Sequence, residues 1–214
     1  MIAIGIKATT LTPFAYHSLM VQSGSATLPE LISDRAIAFG LAATLGWLRA
    51  SVALPPKNYH AHLGAMPYRT SVFMTASPRL LPPLVRRLNL DAEGGLKWKT
   101  QNVAKKGNLK DFYQIQEVPA EQEFTGAIFG LDPFAYAEKV MHQKVNKLVI
   151  RVGLHRNGML LLEKEPKIQQ VRLNVATAAL FKRDLPVERY CLYGLQLSPQ
   201  YALAEAVTEV EQWQ

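Results

Sequence analysis

The amino-acid sequence predicts an α+β protein, and three observations support this fold class. An alternating segment rich in Ile and Thr, Ile2–Leu11, predicts a strand near the centre of a sheet. The almost wholly apolar stretch Ala36–Leu48 predicts a helix buried against that sheet. Strand-like and helix-like segments then alternate along the 214 residues, of which 49% are hydrophobic. We therefore expect one globular domain over residues 1–214.

The first helix is predicted to span Thr27–Leu48. Thr27 and Glu30 have the spacing of a capping box, and Pro29 suits the first helical turn. The apolar run is shorter than the roughly 20 residues that cross a bilayer, so no membrane partner is expected. The residues before this helix, 12–26, contain Pro13, Gly24 and three serines and are predicted to form a loop that carries Tyr16 and His17.

The next third of the chain is predicted to contain little helix. Residues 49–63 read as a loop, and Tyr68–Ala76 as a second strand. Pro78–Asn89 is rich in Pro and Arg, with a short helical turn expected after Pro83.

Leu96–Val118 is predicted to form a hairpin in which residues 97–100 pair with 112–115 around a Gly-containing turn. Lysines alternate with aromatic residues along it, a pattern that suits contact with phosphates and stacking on bases. The alternative is an amphipathic hairpin whose aromatic side chains lie in the core. Both interpretations stay open.

The remaining elements follow in order. Glu123–Leu131 is a predicted strand, and Asp132 caps a helix that runs to about Lys144. Residues 148–154 and 159–163 flank His-Arg-Asn-Gly, a strong hairpin signal. The structure of residues 168–181 is left open. The last predictions are a strand at Arg189–Leu197 and a closing helix capped by Ser198–Pro199, with Leu203, Val207 and Val210 inward and Glu205, Glu209 and Glu211 outward.

The net charge of +7 is concentrated in one part of the chain. Residues 49–110 contain eleven Lys or Arg and two acidic residues, a net of +9, so the rest of the chain carries −2. Such a basic region is typical of a protein that binds a polyanion. A solvated basic surface that aids solubility is the alternative.

Several kinds of chemistry are not supported by the sequence. The single Cys191 leaves no internal disulfide and suits a reducing cytoplasm, where we expect the protein, since the N-terminus has no signal-peptide pattern. His60 and His62 lack the further ligands that a zinc site needs. No Gly-x-Gly-x-x-Gly or Walker-type loop is present, so no metal or other cofactor is expected. Acid–base cleavage of RNA by Tyr16, His17 and His60 remains an alternative function.

The predicted order is strand, helix, strand, basic insertion, strand, helix, strand, then further hairpins. That order matches a ferredoxin-like βαββαβ unit, also the frame of RNA-recognition (RRM) domains, with a basic hairpin inserted at about 49–118 and extra strands and a helix at the C-terminus. Neither consensus strand of the ordinary RNA-recognition domain is present, so a modified version is expected.

Particular segments resemble the Cas-five family, a branch of the RAMP superfamily found in type I CRISPR interference (Cascade) complexes. The resemblance is found in the first strand, in the segment Pro13–Tyr16 and in the alanine-rich stretch Ile32–Leu41. Leu63–Thr75 and Val149–Gly153 match later parts in order. The sequence is most similar to the short type I-D subunit, with type IV counterparts second. The glycine-rich loop that many RAMP proteins carry near the C-terminus is not found.

The resemblance implies a non-catalytic subunit in antiviral defence, with a thumb-like insertion that grips the 5′ handle of the CRISPR RNA and caps the backbone filament of the complex. Its implied partners are that RNA and the other effector subunits, with target DNA left open. The residues predicted to bind RNA are Lys57, His60, Arg69, Lys97, Trp98, Lys99, Lys105, Lys106 and Lys110, followed by Tyr16, His17 and Arg35. A purely structural adaptor is a third hypothesis.

Overall fold

The computed structural model describes residues 1–15, 18–21, 24–47, 58–87, 112–153 and 158–213. It confirms a mixed α+β architecture with a largely antiparallel sheet and few helices in the described part. Seven strands form the main sheet: β1 (Ala3–Thr10), β4 (Leu31–Ile32), β5 (Tyr68–Thr70), β6 (Phe73–Met74), β9 (Glu123–Gly130), β10 (Lys147–Val152) and β11 (Gly158–Lys164).

Two smaller sheets accompany the main one. The four-stranded sheet contains β2 (Ser18–Val21), β3 (Gly24–Thr27), β7 (Leu84–Arg87) and β8 (Phe112–Ile115). The three-stranded sheet contains β12 (Gln170–Asn174), β13 (Arg189–Leu192) and β14 (Leu195–Ala202). The helices are α1 (Asp34–Thr44), α2 (Tyr59–Gly64), α3 (Pro133–Met141), α4 (Val175–Ala178), a following 3₁₀ turn (Ala179–Phe181) and α5 (Leu203–Val210).

The first strand is central, as its sequence predicts. The main sheet has the order β10-β11-β1-β9-β6-β4, and β5 also pairs with β9. Antiparallel neighbours flank β1 on both sides, β11 and β9. Ile6 and Ala8 point into the core and are fully buried, while Lys7 and Thr9 on the opposite face are half-buried.

The first helix begins later than predicted, so the capping box at Thr27 is wrong. Leu31 and Ile32 pair with β6 instead, and Ser33 is the N-cap, its side chain accepting from the N–H of Arg35. Thr27 ends β3 and donates its hydroxyl to the carbonyl of Gln116 at 2.5 Å. One side of the helix is buried as predicted, with Ile37 and Leu41 fully buried. Ala43 and Thr44 are exposed and the helix ends at Thr44, so the prediction that nearly all its faces are buried is wrong.

The predicted second strand is broken into β5 and β6, between which Val72 forms a bridge to Arg172. The helical turn expected after Pro83 is wrong, because Leu84–Arg87 is extended as β7. The antiparallel partner of β8 is β7 rather than residues 97–100, so the predicted pairing of the hairpin arms is wrong as well. The rest of that hairpin, residues 88–111, lies outside the described residues.

The middle of the chain follows its sequence signals closely. β9 is confirmed, and Asp132 caps α3 by accepting from the N–H groups of Phe134 and Ala135. The helix ends at Met141, three residues early, where His142 turns into the left-handed region with φ 54°. β10 and β11 pair antiparallel as predicted.

The C-terminal helix starts later than predicted. β14 runs through Ser198 and Pro199 to Ala202, so these two residues do not cap a helix. The pairing of β14 with β12 is irregular at this point, and a proline without an N–H is tolerated at such a bulge. α5 then buries Ala206 and Val210. Glu209, predicted to point outward, contacts Arg183 and Trp213.

Candidate nucleic-acid interface

Three of the residues predicted to bind RNA, Arg35, His60 and Arg69, lie in the described part of the chain. The structure brings them together around α4 and the 3₁₀ turn, where they contact Thr177 or Phe181. The other nine lie outside the described residues, so their role stays a prediction: Tyr16, His17, Lys57, Lys97, Trp98, Lys99, Lys105, Lys106 and Lys110.

Arg35 is held rigidly in the first turn of α1. Its Nε donates to Thr177 Oγ1 at 3.0 Å and its Nη2 donates to the carbonyl of Ala176 at 2.9 Å. The guanidinium carbon lies 5.0 Å from the centre of the Tyr59 ring, within the range of a cation–π contact. Within the described residues, nothing accepts a hydrogen bond from Nη1. This donor is therefore available to a ligand.

The two histidines lie on a helix rather than on the predicted loop. α2 begins at Tyr59, with Asn58 as N-cap accepting from the N–H of Ala61. On a helix, side chains two residues apart do not face each other. His60 contacts the Phe181 ring at 5.4 Å, whereas His62 packs edge-on against Phe39 at 6.2 Å.

Arg69 is tied into the protein itself. Its Nη1 donates to the carbonyls of Met66 and Tyr68, both at 2.8 Å, and its Nη2 donates to the carbonyl of Trp213 at 3.2 Å. Its guanidinium carbon lies 4.9 Å from the centre of the Phe181 ring. Burial lowers the pKa of Arg69. These contacts give Arg69 a structural role, and its contact with RNA stays a prediction.

A buried polar network is connected to Arg35 through the hydroxyl of Thr177. Asn174 is fully buried, and its Nδ2 donates to Asp34 Oδ1 at 2.7 Å, to Thr177 Oγ1 at 3.0 Å and to the carbonyl of Gly194 at 3.1 Å. Ser33 Oγ also donates to Asp34 Oδ1, at 2.9 Å. Buried polar groups that are satisfied in this way fix one arrangement of the elements that carry them. The network joins α1, α4 and the turn between β13 and β14.

That turn carries Tyr193, and the adjoining strand β13 carries Tyr190; neither tyrosine is among the site residues predicted from the sequence. Tyr193 is 89% exposed and Tyr190 is 63% exposed. Gly194, the residue after Tyr193, lies so close to Arg35 that a Cβ added to it would be 3.5 Å from Arg35 Nη1. In the sequence, Tyr193–Gly194 is predicted to be part of a strand. The glycine is the sequence feature that could have predicted a turn here, since glycine favours turns.

The open face of the main sheet differs from the surface around Arg35, because its lysines are paired with carboxylates. Lys147, Glu163 and Lys7 are neighbours across β10, β11 and β1. Glu163 lies 3.0 Å from Lys147 Nζ, and Lys7 Nζ lies 3.4 Å from Glu123. The hydrogen bond with Lys147 lowers the pKa of Glu163, and the one with Glu123 raises the pKa of Lys7. Cations paired with carboxylates are poor phosphate ligands, so this face is less suited to RNA than the surface around Arg35.

Two further features limit the chemistry of the described residues. No group of three or more His, Cys, Asp or Glu side chains in this part of the chain is arranged to hold a metal ion. The thiol of Cys191 is partly buried, which raises its pKa and disfavours the reactive thiolate.

None of the helices in the described ranges combines the length and apolar character needed to span a bilayer.

Comparisons with known proteins give likenesses in structure only. No family model matches the chain, and no curated protein matches it. Ten chains of solved structures are similar to it, and three of them are the following. A chain of the type III-B Cmr-β complex bound to cognate target RNA and AMPPnP has a TM-score of 0.40 and 11% identity, over 79% of this chain and 67% of that one.

The second is Cmr4 (Cas7) from Pyrococcus furiosus, with a TM-score of 0.37 and 11% identity over 77% of this chain and 99% of that one. The third is a chain of a type IV-B CRISPR complex, with a TM-score of 0.44 and 10% identity over 90% of this chain and 96% of that one. Likenesses at this level assign neither a family nor a site to the chain.

Proposed function

We propose that this chain is a non-catalytic RNA-binding subunit of a CRISPR interference complex of the type I-D kind. In this proposal it holds the 5′ handle of the CRISPR RNA and caps the backbone filament, with the other effector subunits as its partners. A fixed single-stranded handle can be bound by lysines at its phosphates and by aromatic side chains at its unpaired bases.

The observation that carries the proposal is the concentration of positive charge. Residues 49–110 have a net charge of +9 on a chain whose remainder is slightly acidic. Five lysines of this region (97, 99, 105, 106 and 110) fall between Arg87 and Phe112, which are directly opposite each other in the β7–β8 pair. The two described residues that flank the basic segment 88–111 are therefore adjacent, as they must be for an insertion that projects from the fold.

The strand order supports the ferredoxin-like part of the proposal. In a βαββαβ unit the first strand lies between the last and third strands, all antiparallel. Here β1 lies between β11 and β9, and β5 and β6 follow on the far side of β9, all antiparallel. α1 and α3 occupy the positions of the two helices in the chain order. One difference is that a hairpin, β10–β11, stands where the unit has a single last strand.

The test is the salt dependence of RNA binding by the full chain. The double variant Lys105→Ala/Lys106→Ala should bind single-stranded RNA more weakly, and the slope of log K against log salt should fall by about 0.7 for each phosphate that the variant no longer neutralises. Lys139→Ala/Lys144→Ala is the matched control, since it removes the same charge from exposed sites outside the basic segment. Equal slopes for the two variants would remove Lys105 and Lys106 from the interface.

The endonuclease alternative is separated by a second measurement. The purified protein is incubated with a precursor RNA in the presence of a chelator, because cleavage by Tyr16, His17 and His60 would need no metal. The proposal predicts that the RNA stays intact. Cleavage that disappears in His60→Ala would show an enzyme instead. A protein with no RNA affinity at moderate salt would favour the structural adaptor.

A further inference from the structure

We infer that Arg35, Tyr59 and Tyr193 form a binding subsite for an unpaired nucleotide, separate from the basic segment. The inference rests on the proposed function, since it takes the ligand to be single-stranded RNA. It adds to that function a fixed site on the folded body of the protein, where one or two bases stack on tyrosines beside a guanidinium.

The guanidinium of Arg35 is ready to bind before any ligand arrives. Two of its nitrogens are fixed, by Thr177 at 3.0 Å and by the carbonyl of Ala176 at 2.9 Å. Little side-chain entropy is therefore lost when the remaining nitrogen, Nη1, donates to a ligand. A charged donor of this kind suits a phosphate oxygen or an acceptor on a base edge.

Tyr59 supplies the first aromatic surface. Its ring contacts Arg35 at 5.0 Å and meets the Phe39 ring edge-on, with 6.0 Å between the ring centres. It is nonetheless 36% exposed, so part of the ring faces solvent. A tyrosine that is supported by its neighbours and exposed at the surface is suited to stack on a base.

Tyr193 supplies the second surface, on the turn beside Arg35. A Cβ added to Gly194 would be in van der Waals contact with Arg35 Nη1, at 3.5 Å, so the turn that carries Tyr193 lies beside this nitrogen. The turn is held by Asn174, which donates to the Gly194 carbonyl at 3.1 Å and accepts from the N–H of Gln196 at 3.1 Å. Tyr193 is 89% exposed, so its side chain is accessible to a ligand on a turn that is fixed in this way.

The chemistry favours an unpaired nucleotide over a protein partner. Stacking requires bases that are free of a duplex, and every base offers a π-face. The cation beside the rings has a free donor within the described residues, and no described carboxylate is paired with it. A protein partner, to which exposed tyrosines are also suited, becomes an outcome of the test.

The experiment measures the affinity of the full chain for a short fluorescein-labelled single-stranded RNA. Tyr193→Ala and Tyr59→Ala should each weaken binding by about tenfold, the effect of losing one stacked base, with the salt slope unchanged. Tyr190→Ala is the matched control, because it removes another exposed tyrosine of the same hairpin and should leave the affinity unchanged. Ultraviolet cross-linking of the same RNA carrying 4-thiouridine should label the peptide that contains Tyr59 or Tyr193.

The outcomes separate this inference from the function on which it rests. If Lys105→Ala/Lys106→Ala weakens binding while Tyr193→Ala and Tyr59→Ala do not, the subsite is wrong and the proposed function stands. If the unmodified protein does not bind RNA, both are wrong. If Tyr193→Ala keeps full RNA affinity but releases another subunit from the purified complex, the surface is a protein interface and the inference is overturned.

Discussion

Gly5 shows how a single residue positions the C-terminal part of the chain. It lies in the central strand β1, and its carbonyl accepts from the N–H of Glu165 at 2.8 Å. A Cβ added at Gly5 would lie 2.3 Å from the carbonyl oxygen of Glu165 and 3.0 Å from the Cβ of Ile168. The segment that leads from β11 to β12 therefore crosses the sheet where a side chain is missing.

Gly5→Ala should destabilise the fold by about 1–3 kcal/mol, because the backbone at Glu165 must move to make room. Urea unfolding of the full chain measures this. Gly64→Ala is the matched control, since nothing lies within 4 Å of its added Cβ, and it should be neutral or slightly stabilising. Equal unfolding midpoints for the two variants would show that the chain does not pass this close to Gly5.

At the residue scale, sequence reasoning succeeds where the cause is local. Asp132 is recognisable as an N-cap because its capping hydrogen bonds come from Phe134 and Ala135, within the next three residues. The same reasoning fails at Thr27, whose hydroxyl is satisfied by Gln116, 89 positions away. Arg69 also has a distant partner, since its acceptor on Trp213 is 144 positions away. Partners this far apart in the sequence cannot be recognised in a local window, and the contact of Arg69 with RNA stays a prediction.

Charged and polar side chains attach α5 to the rest of the fold. Its Glu209 accepts from Arg183 at two points, 2.9 and 3.0 Å, and from Trp213 Nε1 at 3.1 Å. Trp213 is buried and stacks on Phe181 with 5.9 Å between ring centres. The helix is therefore attached beside the 3₁₀ turn that Arg69 and His60 contact.

The ion pair between Arg183 and Glu209 predicts that the stability of the fold depends on pH. The hydrogen bonds from Arg183 lower the pKa of Glu209 in the folded protein, against the opposing effect of burial. The unfolded chain therefore takes up this proton at a higher pH, near the ordinary value of about 4.3. The stability that Glu209 contributes is present above that value and disappears as the pH falls through the lowered pKa.

Unfolding midpoints in urea across this acidic range test the prediction. Glu209→Gln should flatten the loss of stability on acidification, because the variant has no carboxyl to protonate at this position. Glu205→Gln on the same helix is the control, since its amide oxygen can still accept from the N–H of Ala202. If Glu209→Gln and the unmodified protein have the same pH profile, the pair with Arg183 does not stabilise the fold.

Element type is predictable where periodicity and turn chemistry agree. β1, β9 and the β10–β11 hairpin combine alternation with clear turn or cap signals. The errors arise where pairing with a distant strand decides the structure. Leu31–Ile32 continues the apolar pattern of α1 but pairs with β6, and Ser198–Pro199 has the form of a cap but lies inside β14. Neither partner is visible in a local window of sequence.

For the whole molecule, the separation of charge is the leading feature. The net positive charge is concentrated in one region, residues 49–110, which carry +9, whereas cations on the open sheet face are paired with carboxylates. The charge excess could be predicted from the sequence, because it requires only a count. The surface around Arg35 could not be predicted from the sequence. Tyr59, Tyr193 and the network around Asn174 are far apart in the chain and come together near Arg35 only in the folded structure.

The proposed function requires that this chain hold a defined RNA within a larger complex. To test this, the full chain is expressed together with its neighbouring genes and purified, and the nucleic acid and proteins that accompany it are analysed. We expect a short RNA with a uniform 5′ end, together with other subunits. If the protein purifies alone, without nucleic-acid absorbance, the proposed function is wrong.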